Sequence, residues 1–158
     1  MIIKAVNDNI YNTEAKHIAF AINTEWFNDL GFAEKVSEDW NDLKNCKKNR
    51  IGTVISRKIN GKIFHALVCH SLNEGWGDNQ AYNIKECFDN IPANGEQVAT
   101  ITIGAGDISK RDGADFAKII CGMHDSEQKV IFYGEYTLEE LMDIYDNEKL
   151  KTIEKRLI

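Results

Sequence analysis

Alternating strand-like and helix-like patterns along one unbroken chain predict an α/β fold, a three-layer α/β/α sandwich around a central mixed β-sheet. Two observations carry this expectation. Continuous apolar runs, typical of strands buried on both faces, are separated by stretches in which apolar residues recur every three or four positions. An Asn60-Gly61 pair between two apolar runs signals a tight hairpin, since both residues tolerate positive φ, and so adds an antiparallel neighbour to the sheet.

The elements follow in order. Residues 1–6 are a short apolar strand, and residues 17–23 (His-Ile-Ala-Phe-Ala-Ile-Asn) a buried strand closed by a polar residue. Within residues 26–44, Leu30, Ala33, Val36, Trp40 and Leu43 have helical spacing. Residues 51–57 and 62–69 flank the hairpin. Residues 78–91 place Ala81, Ile84, Cys87, Phe88 and Ile91 on one helix face, with Asp78 as cap. The β-branched run at 98–103 is a buried strand, broken by Gly104-Ala105-Gly106-Asp107. The next helix is expected to start at Ser109, with acidic Asp112 early and Phe116, Ile119, Ile120 and Met123 as its apolar face. Residues 129–133 are the last strand. Thr137-Leu138-Glu139-Glu140 is a capping box opening a C-terminal helix, which either packs on its own chain or pairs two copies into a homo-oligomer.

The 158 residues suit one domain spanning 1–158, large enough to bury a core without disulfides. Hydrophobic residues are 43% and charged residues 28%, a globular rather than disordered balance. The only proline is Pro92, and no linker, repeat or low-complexity tract divides the chain. The net charge of −6 comes without a basic patch, which argues against sequence-specific nucleic-acid binding. No signal-like leader and no apolar run of membrane-spanning length is present, so no membrane partner is expected. Cys46, Cys69, Cys87 and Cys121 lie far apart without metal spacing, which fits free thiols in a reducing cytoplasm. No metal and no cofactor is implied.

Two loops follow buried strands and precede helices, at 23–31 and 104–109, where open α/β sheets bind ligands. Gly104-Ala105-Gly106 lets backbone approach a ligand at a helix start, where a phosphate would meet N–H groups; a plain tight turn is the other reading. No Gly-Lys-Ser/Thr follows, so it is not a Walker loop. Gly31 permits the same approach, or is merely tolerated in a first helical turn. Trp76, in a Gly-flanked loop, either stacks on a base or covers the sheet edge.

Taken together, the pieces from Met1 to about Tyr133 resemble a macro domain, with residues 134–158 as an extension. The likeness runs through Val6-Asn7-Asp8-Asn9-Ile10, Ala21-Ile22-Asn23, Gly31-Phe32-Ala33, Ile51-Gly52-Thr53-Val54 and Ile103-Gly104-Ala105-Gly106. Ala66-Leu67-Val68-Cys69-His70 and residues 98–133 are most similar to the branch that releases ADP-ribose from acidic side chains. The resemblance implies a small-molecule nucleotide partner such as ADP-ribose. Asn9 and Ile10 would flank adenine, Asn23 the distal ribose, and Gly31, Phe32 and Ala33 one side of the diphosphate. Gly104, Ala105 and Gly106 would cradle its other side.

The chain also departs from the family pattern. Asn9 stands where Asp is usual, Phe20 where many members carry a second Asn, and Asn28-Asp29-Leu30-Gly31 replaces a glycine run. The branch's lysine falls on His70 and its acid near Asp107. Histidine cannot form the lysine-type adduct, but it could serve as general base on water with Asp107 orienting it; otherwise it is a hydrogen-bonded polar residue at a strand end. Two functions therefore compete. One is an ADP-ribose-binding module, with ADP-ribosyl hydrolase activity open. The other is a non-catalytic scaffold whose pocket is filled by Phe20, Leu30 and Phe32.

Overall fold

The computed structural model describes residues 1–24, 31–40, 49–71 and 73–157. Six strands, β1 (Ile2–Val6), β2 (His17–Asn23), β3 (Val54–Ile59), β4 (Lys62–His70), β5 (Gln97–Ile101) and β6 (Lys129–Tyr133), form one sheet in the order β1-β6-β5-β2-β4-β3. All neighbours are parallel except β3, which runs antiparallel to β4 through the Asn60-Gly61 turn. Both turn residues have positive φ, +49° and +82°, as the sequence predicts. β2 lies between β4 and β5, which is why its run is apolar without alternation. β3 is the edge strand, and its residues are only half-buried or exposed.

Helix α1 (Gly31–Asp39) covers one face, where Val36 packs with Phe20, Ile22, Phe64 and Trp40. Helices α2 (Gln80–Asp89), α4 (Phe116–Asp125) and α5 (Leu138–Leu157) cover the other, burying Ile84, Phe88, Ile119, Ile120, Met123 and Leu141 against Leu67, Val98 and Phe132. The expected three layers are present. Each fully buried large side chain contributes about 1.5–3 kcal/mol of transfer free energy. α2 and α4 pack unusually close because Gly122 has no side chain: a Cβ there would lie 2.3 Å from the Ala81 carbonyl oxygen.

Several boundaries differ from expectation. The helix expected at Ser109 is two. Ser109 lies inside the short α3 (Asp107–Arg111), and α4 starts anew after Asp115, whose carboxylate accepts the Ala117 N–H at 3.2 Å. Gly113, at φ +87°, turns the chain between them. α2 is preceded by Asn79 rather than capped by Asp78, and no side-chain cap bond forms there. β5 ends at Ile101, two residues early, and the strand expected at 51–57 is β3 at Val54–Ile59. Of the helix expected over 26–44, α1 is the described part; residues 26–30 and 41–44 lie outside the described residues, as does Cys46.

The capping box forms: Thr137 N–H donates to Glu140 Oε1 at 3.0 Å, and Glu140 N–H to Thr137 Oγ1 at 3.1 Å. α5 then packs on α4, where its Tyr145 and Lys149 both reach Asp125. Cys69, Cys87 and Cys121 are free and buried. Among the described residues no side-chain group is arranged to hold a metal ion, and no helix is long and apolar enough to cross a membrane.

Candidate functional site

A cavity of about 140 Å³ lies at the carboxyl ends of β2, β4 and β5. Its walls include Ala21 of β2, Phe32 and Ala33 of α1, His70, Trp76, and the run from Ile101 to Gly104. The loop singled out at 104–109 and the start of α1, which follows the loop singled out at 23–31, therefore contribute to one cavity. Open α/β sheets bind ligands at this end because helix N-termini and loop amides converge there.

Local sequence explains how each wall is held. The pairing of β2 with β4 slips by one residue beyond Ile22, so Asn23 faces His70 rather than Cys69. Cys69 turns inward and is fully buried, while His70 reaches the cavity. Thr24 N–H donates to the His70 carbonyl at 2.9 Å and fixes the strand end. Residues 73–77 then lie back against the strand end: Ser71 N–H donates to the Gly75 carbonyl at 2.9 Å, and Trp76 N–H to the Asp112 carbonyl at 3.2 Å. This lays the Trp76 indole flat against His70, with ring centroids 4.5 Å apart and an angle of 11°. Trp76 is only 2% exposed, so of the two roles the sequence left open it is nearer to a cover than to an aromatic free to stack on a base. Its buried Nε1–H has no hydrogen-bond partner among the described residues.

Across the cavity, Gly104 adopts φ +86°, a conformation that favours glycine. A Cβ there would lie 2.2 Å from Ile119 Cδ1, so the loop is seated directly on α4. Gly106 occupies the N-cap position of α3 and has open space around it. Ala105 is half-buried beside them.

The expected adenine flank is structured differently. Asn9 caps a 3-10 turn over Ile10–Asn12, and its side-chain oxygen accepts the Tyr11 N–H at 3.0 Å. That oxygen is thus engaged within the chain. Ile10 is buried in the α1-side core, and Tyr11 rests its ring 5.6 Å from Phe32. Asn23 is buried at the end of β2. Gly31 opens α1. Phe20 is completely buried beneath Phe32, at 5.6 Å between rings, and so belongs to the core rather than to the cavity wall. Leu30 lies outside the described residues.

The electrostatics bear on catalysis. Burial holds the His70 pKa down to about 4, opposed by the carboxylate of Asp112. The imidazole is therefore neutral near pH 7, and its Nδ1 lies 3.6 Å from the Cys69 thiol. The carboxylate that acts on His70 is Asp112, which the sequence reading had placed only as a dipole partner; Asp107 lies exposed in the first turn of α3 and is not part of the cavity wall. Neither Asp112 nor the His70–Trp76 stack was read from the sequence. Both depend on how residues 73–77 and 112–115 fold onto each other, and no local pattern encodes that.

No protein-family model and no curated protein matches the sequence. Solved structures do. The macrodomain of Mycobacterium tuberculosis DarG superposes with a TM-score of 0.65 at 12% identity, covering 86% of this chain and 99% of that one. The chain has a macro domain-like fold. A mutant of the Oceanobacillus iheyensis macrodomain gives 0.57 at 16% identity, over 96% of this chain and 92% of that one. The alphavirus P23pro-zbd structure gives 0.63 at 14% identity over 94% of this chain, which spans only 24% of that larger protein. The cavity walls include Phe32, Ala33 and Gly104, three of the residues that the resemblance would place at the diphosphate, but not Gly31, Ala105 or Gly106.

Proposed function

We propose that this chain is a binding module for ADP-ribose or a related nucleoside diphosphate, seated in the cavity at the carboxyl ends of β2, β4 and β5. The observation that supports this reading is the convergence of Phe32 and Ala33 from α1 with Gly104 in one cavity of a macro domain-like fold. Sites that enclose a whole cofactor run to roughly 300–1,000 Å³. A cavity of about 140 Å³ suits the diphosphate and its adjoining ribose, with the base lying outside along Tyr11 and Phe32. Among the described residues the walls carry no side-chain cation, so the phosphates would be held by backbone N–H groups of the Gly104–Gly106 loop and of α1.

Hydrolysis is the weaker part of the resemblance. A general base works best with a pKa near the operating pH, whereas burial leaves His70 at about 4. His70 and Trp76 serve the site better as a flat neutral wall than as a proton acceptor with Asp107. The competing scaffold reading draws on the aromatic walls, since Phe32 and Trp76 narrow the cavity.

Calorimetric titration with ADP-ribose, AMP and ADP decides between them. Micromolar ADP-ribose binding, lost in an Ala33→Glu variant that still unfolds cooperatively, supports the module, because that substitution puts a carboxylate against the phosphates from a half-buried position at the margin of the α1-side core. No heat at millimolar ligand favours the scaffold. Gly104→Glu is the poorer probe, since any side chain at Gly104 meets Ile119.

A further inference from the structure

Four side chains form one hydrogen-bonded chain near the amino end of β2, at the opposite end of the sheet from the cavity. Ser56 Oγ lies 2.6 Å from His65 Nδ1, His65 Nε2 lies 2.8 Å from His17 Nδ1, and His17 Nε2 lies 3.1 Å from Glu96 Oε2. His65 and His17 are 0% and 4% exposed, whereas Ser56 and Glu96 at the two ends meet solvent. The sheet dictates the meeting. His65 stands opposite Ser56 on β3 and opposite Ala19 on β2, two positions and therefore one same-face step from His17.

The carboxylate end orients every proton. Glu96 only accepts, so His17 Nε2 carries hydrogen, and in the neutral ring Nδ1 is then bare. His65 must then donate from Nε2, which leaves its Nδ1 to accept the Ser56 hydroxyl proton. A hydroxyl bonded to an imidazole that is itself held by a third group is the arrangement of an activated nucleophile.

The backbone adds a second element. The two-residue turn makes Ile59 and Lys62 a hydrogen-bonded pair, and alternation along the ladder makes Ser56 and His65 a non-hydrogen-bonded one. The Thr53–Val68 bond, Val68 N–H to the Thr53 carbonyl at 2.9 Å, has the phase this alternation requires. Non-hydrogen-bonded pairs hold side chains close and turn their own N–H groups away from the partner strand. The Ser56 N–H is thereby aimed at the outer edge of β3, beside its own Oγ, where it can serve as an oxyanion donor.

We propose that Ser56 is a nucleophilic serine that takes the acyl group of carboxylic esters, with Glu96 as the terminal base and the neutral His65 and His17 as the relay that carries the serine proton to it. Ser56 Oγ attacks the ester carbonyl carbon; the Oγ–C bond forms and the bond to the leaving alkoxide breaks. The serine proton moves to His65 Nδ1 as the His65 Nε2 proton moves to His17 Nδ1 and the His17 Nε2 proton to Glu96. Glu96 releases it to water, and the alkoxide takes one proton from water. Both histidines end neutral, so the core need not hold an imidazolium, which burial disfavours. The site is independent of the nucleotide cavity.

The test treats the full chain with p-nitrophenyl acetate and, separately, with a fluorophosphonate, and reads nitrophenolate release and peptide mass. The expected result is a single adduct on Ser56, absent from Ser56→Ala. Gln at position 96 still accepts the His17 N–H but cannot take a proton, so Glu96→Gln should slow acylation roughly tenfold or more with an unchanged thermal midpoint, and Glu96→Asp should recover part of the rate. No adduct, an adduct only on other residues, or equal rates in the wild type and Glu96→Gln would overturn the proposal.

Discussion

Acidification should destabilise the fold by about 3 kcal/mol through His65 alone. The side chain is fully buried, hydrogen-bonded to His17 on one side and Ser56 on the other. Burial, reinforced by His17, holds its pKa down to about 4 against an ordinary 6.5. The unfolded chain therefore takes up a proton at a pH where the folded chain does not. Stability is fully present above pH 6.5, falls as the pH drops from 6.5 to 4, and levels off once the folded form is protonated too. The gap between 6.5 and about 4, at about 1.36 kcal/mol per pH unit, gives about 3 kcal/mol. Domains carry only about 5–15 kcal/mol in all, so this is a large fraction of the total. His70, also held near 4, pushes in the same direction. Urea unfolding measured across this pH range in the wild type and in His65→Gln checks the reasoning. The variant starts less stable but should show a shallower decline, keeping only the contribution of His70 and the other groups. Parallel curves for the two proteins would refute it.

Other substitutions test the packing and the cavity separately. Gly122→Ala gains helix propensity but places a Cβ 2.3 Å from the Ala81 carbonyl oxygen and 2.9 Å from Ile84 Cβ, so a net loss of about 1–3 kcal/mol is expected in thermal unfolding. Thr137→Ala removes the acceptor for the Glu140 N–H and should cost about 1 kcal/mol, with faster amide exchange in the first turn of α5. Gly104→Ala combines a strained φ of +86° with a clash against Ile119, so stability and ligand binding should fall together, whereas Ala33→Glu, at a half-buried position, should lose binding with a smaller fall in stability.

Most of the layering was legible in the sequence because it depends on local pattern. The short unalternating run at His17–Asn23 fits a strand covered on both faces, and Asn60-Gly61 and Thr137-Leu138-Glu139-Glu140 carry their own turn and cap chemistry. The break between α3 and α4 was missed because Ser109 resembles a cap as well as Asp115 does, and only the backbone at Gly113 separates them. The site was legible as two loops but not as a surface. Trp76 stacks on His70 through a fold-back, and Asp112 reaches the same spot from the far side of α3. His17 and His65 likewise carried no signal, since their contact depends on the register of two strands whose pairing no linear pattern specifies.

The placement of β1 has a consequence for synthesis. Among the described residues its one strand neighbour is β6, with Ile2 opposite Val130, so this pairing is among the most non-local of the sheet. At roughly 5–20 residues per second, a ribosome needs about 6–25 s to make the chain that separates them. During that interval β2, β4 and β3 can already pair, while β1 has nothing to join. The first strand made is then one of the last to be placed, and mutations in β1 should change how fast the finished protein unfolds more than how fast its centre forms.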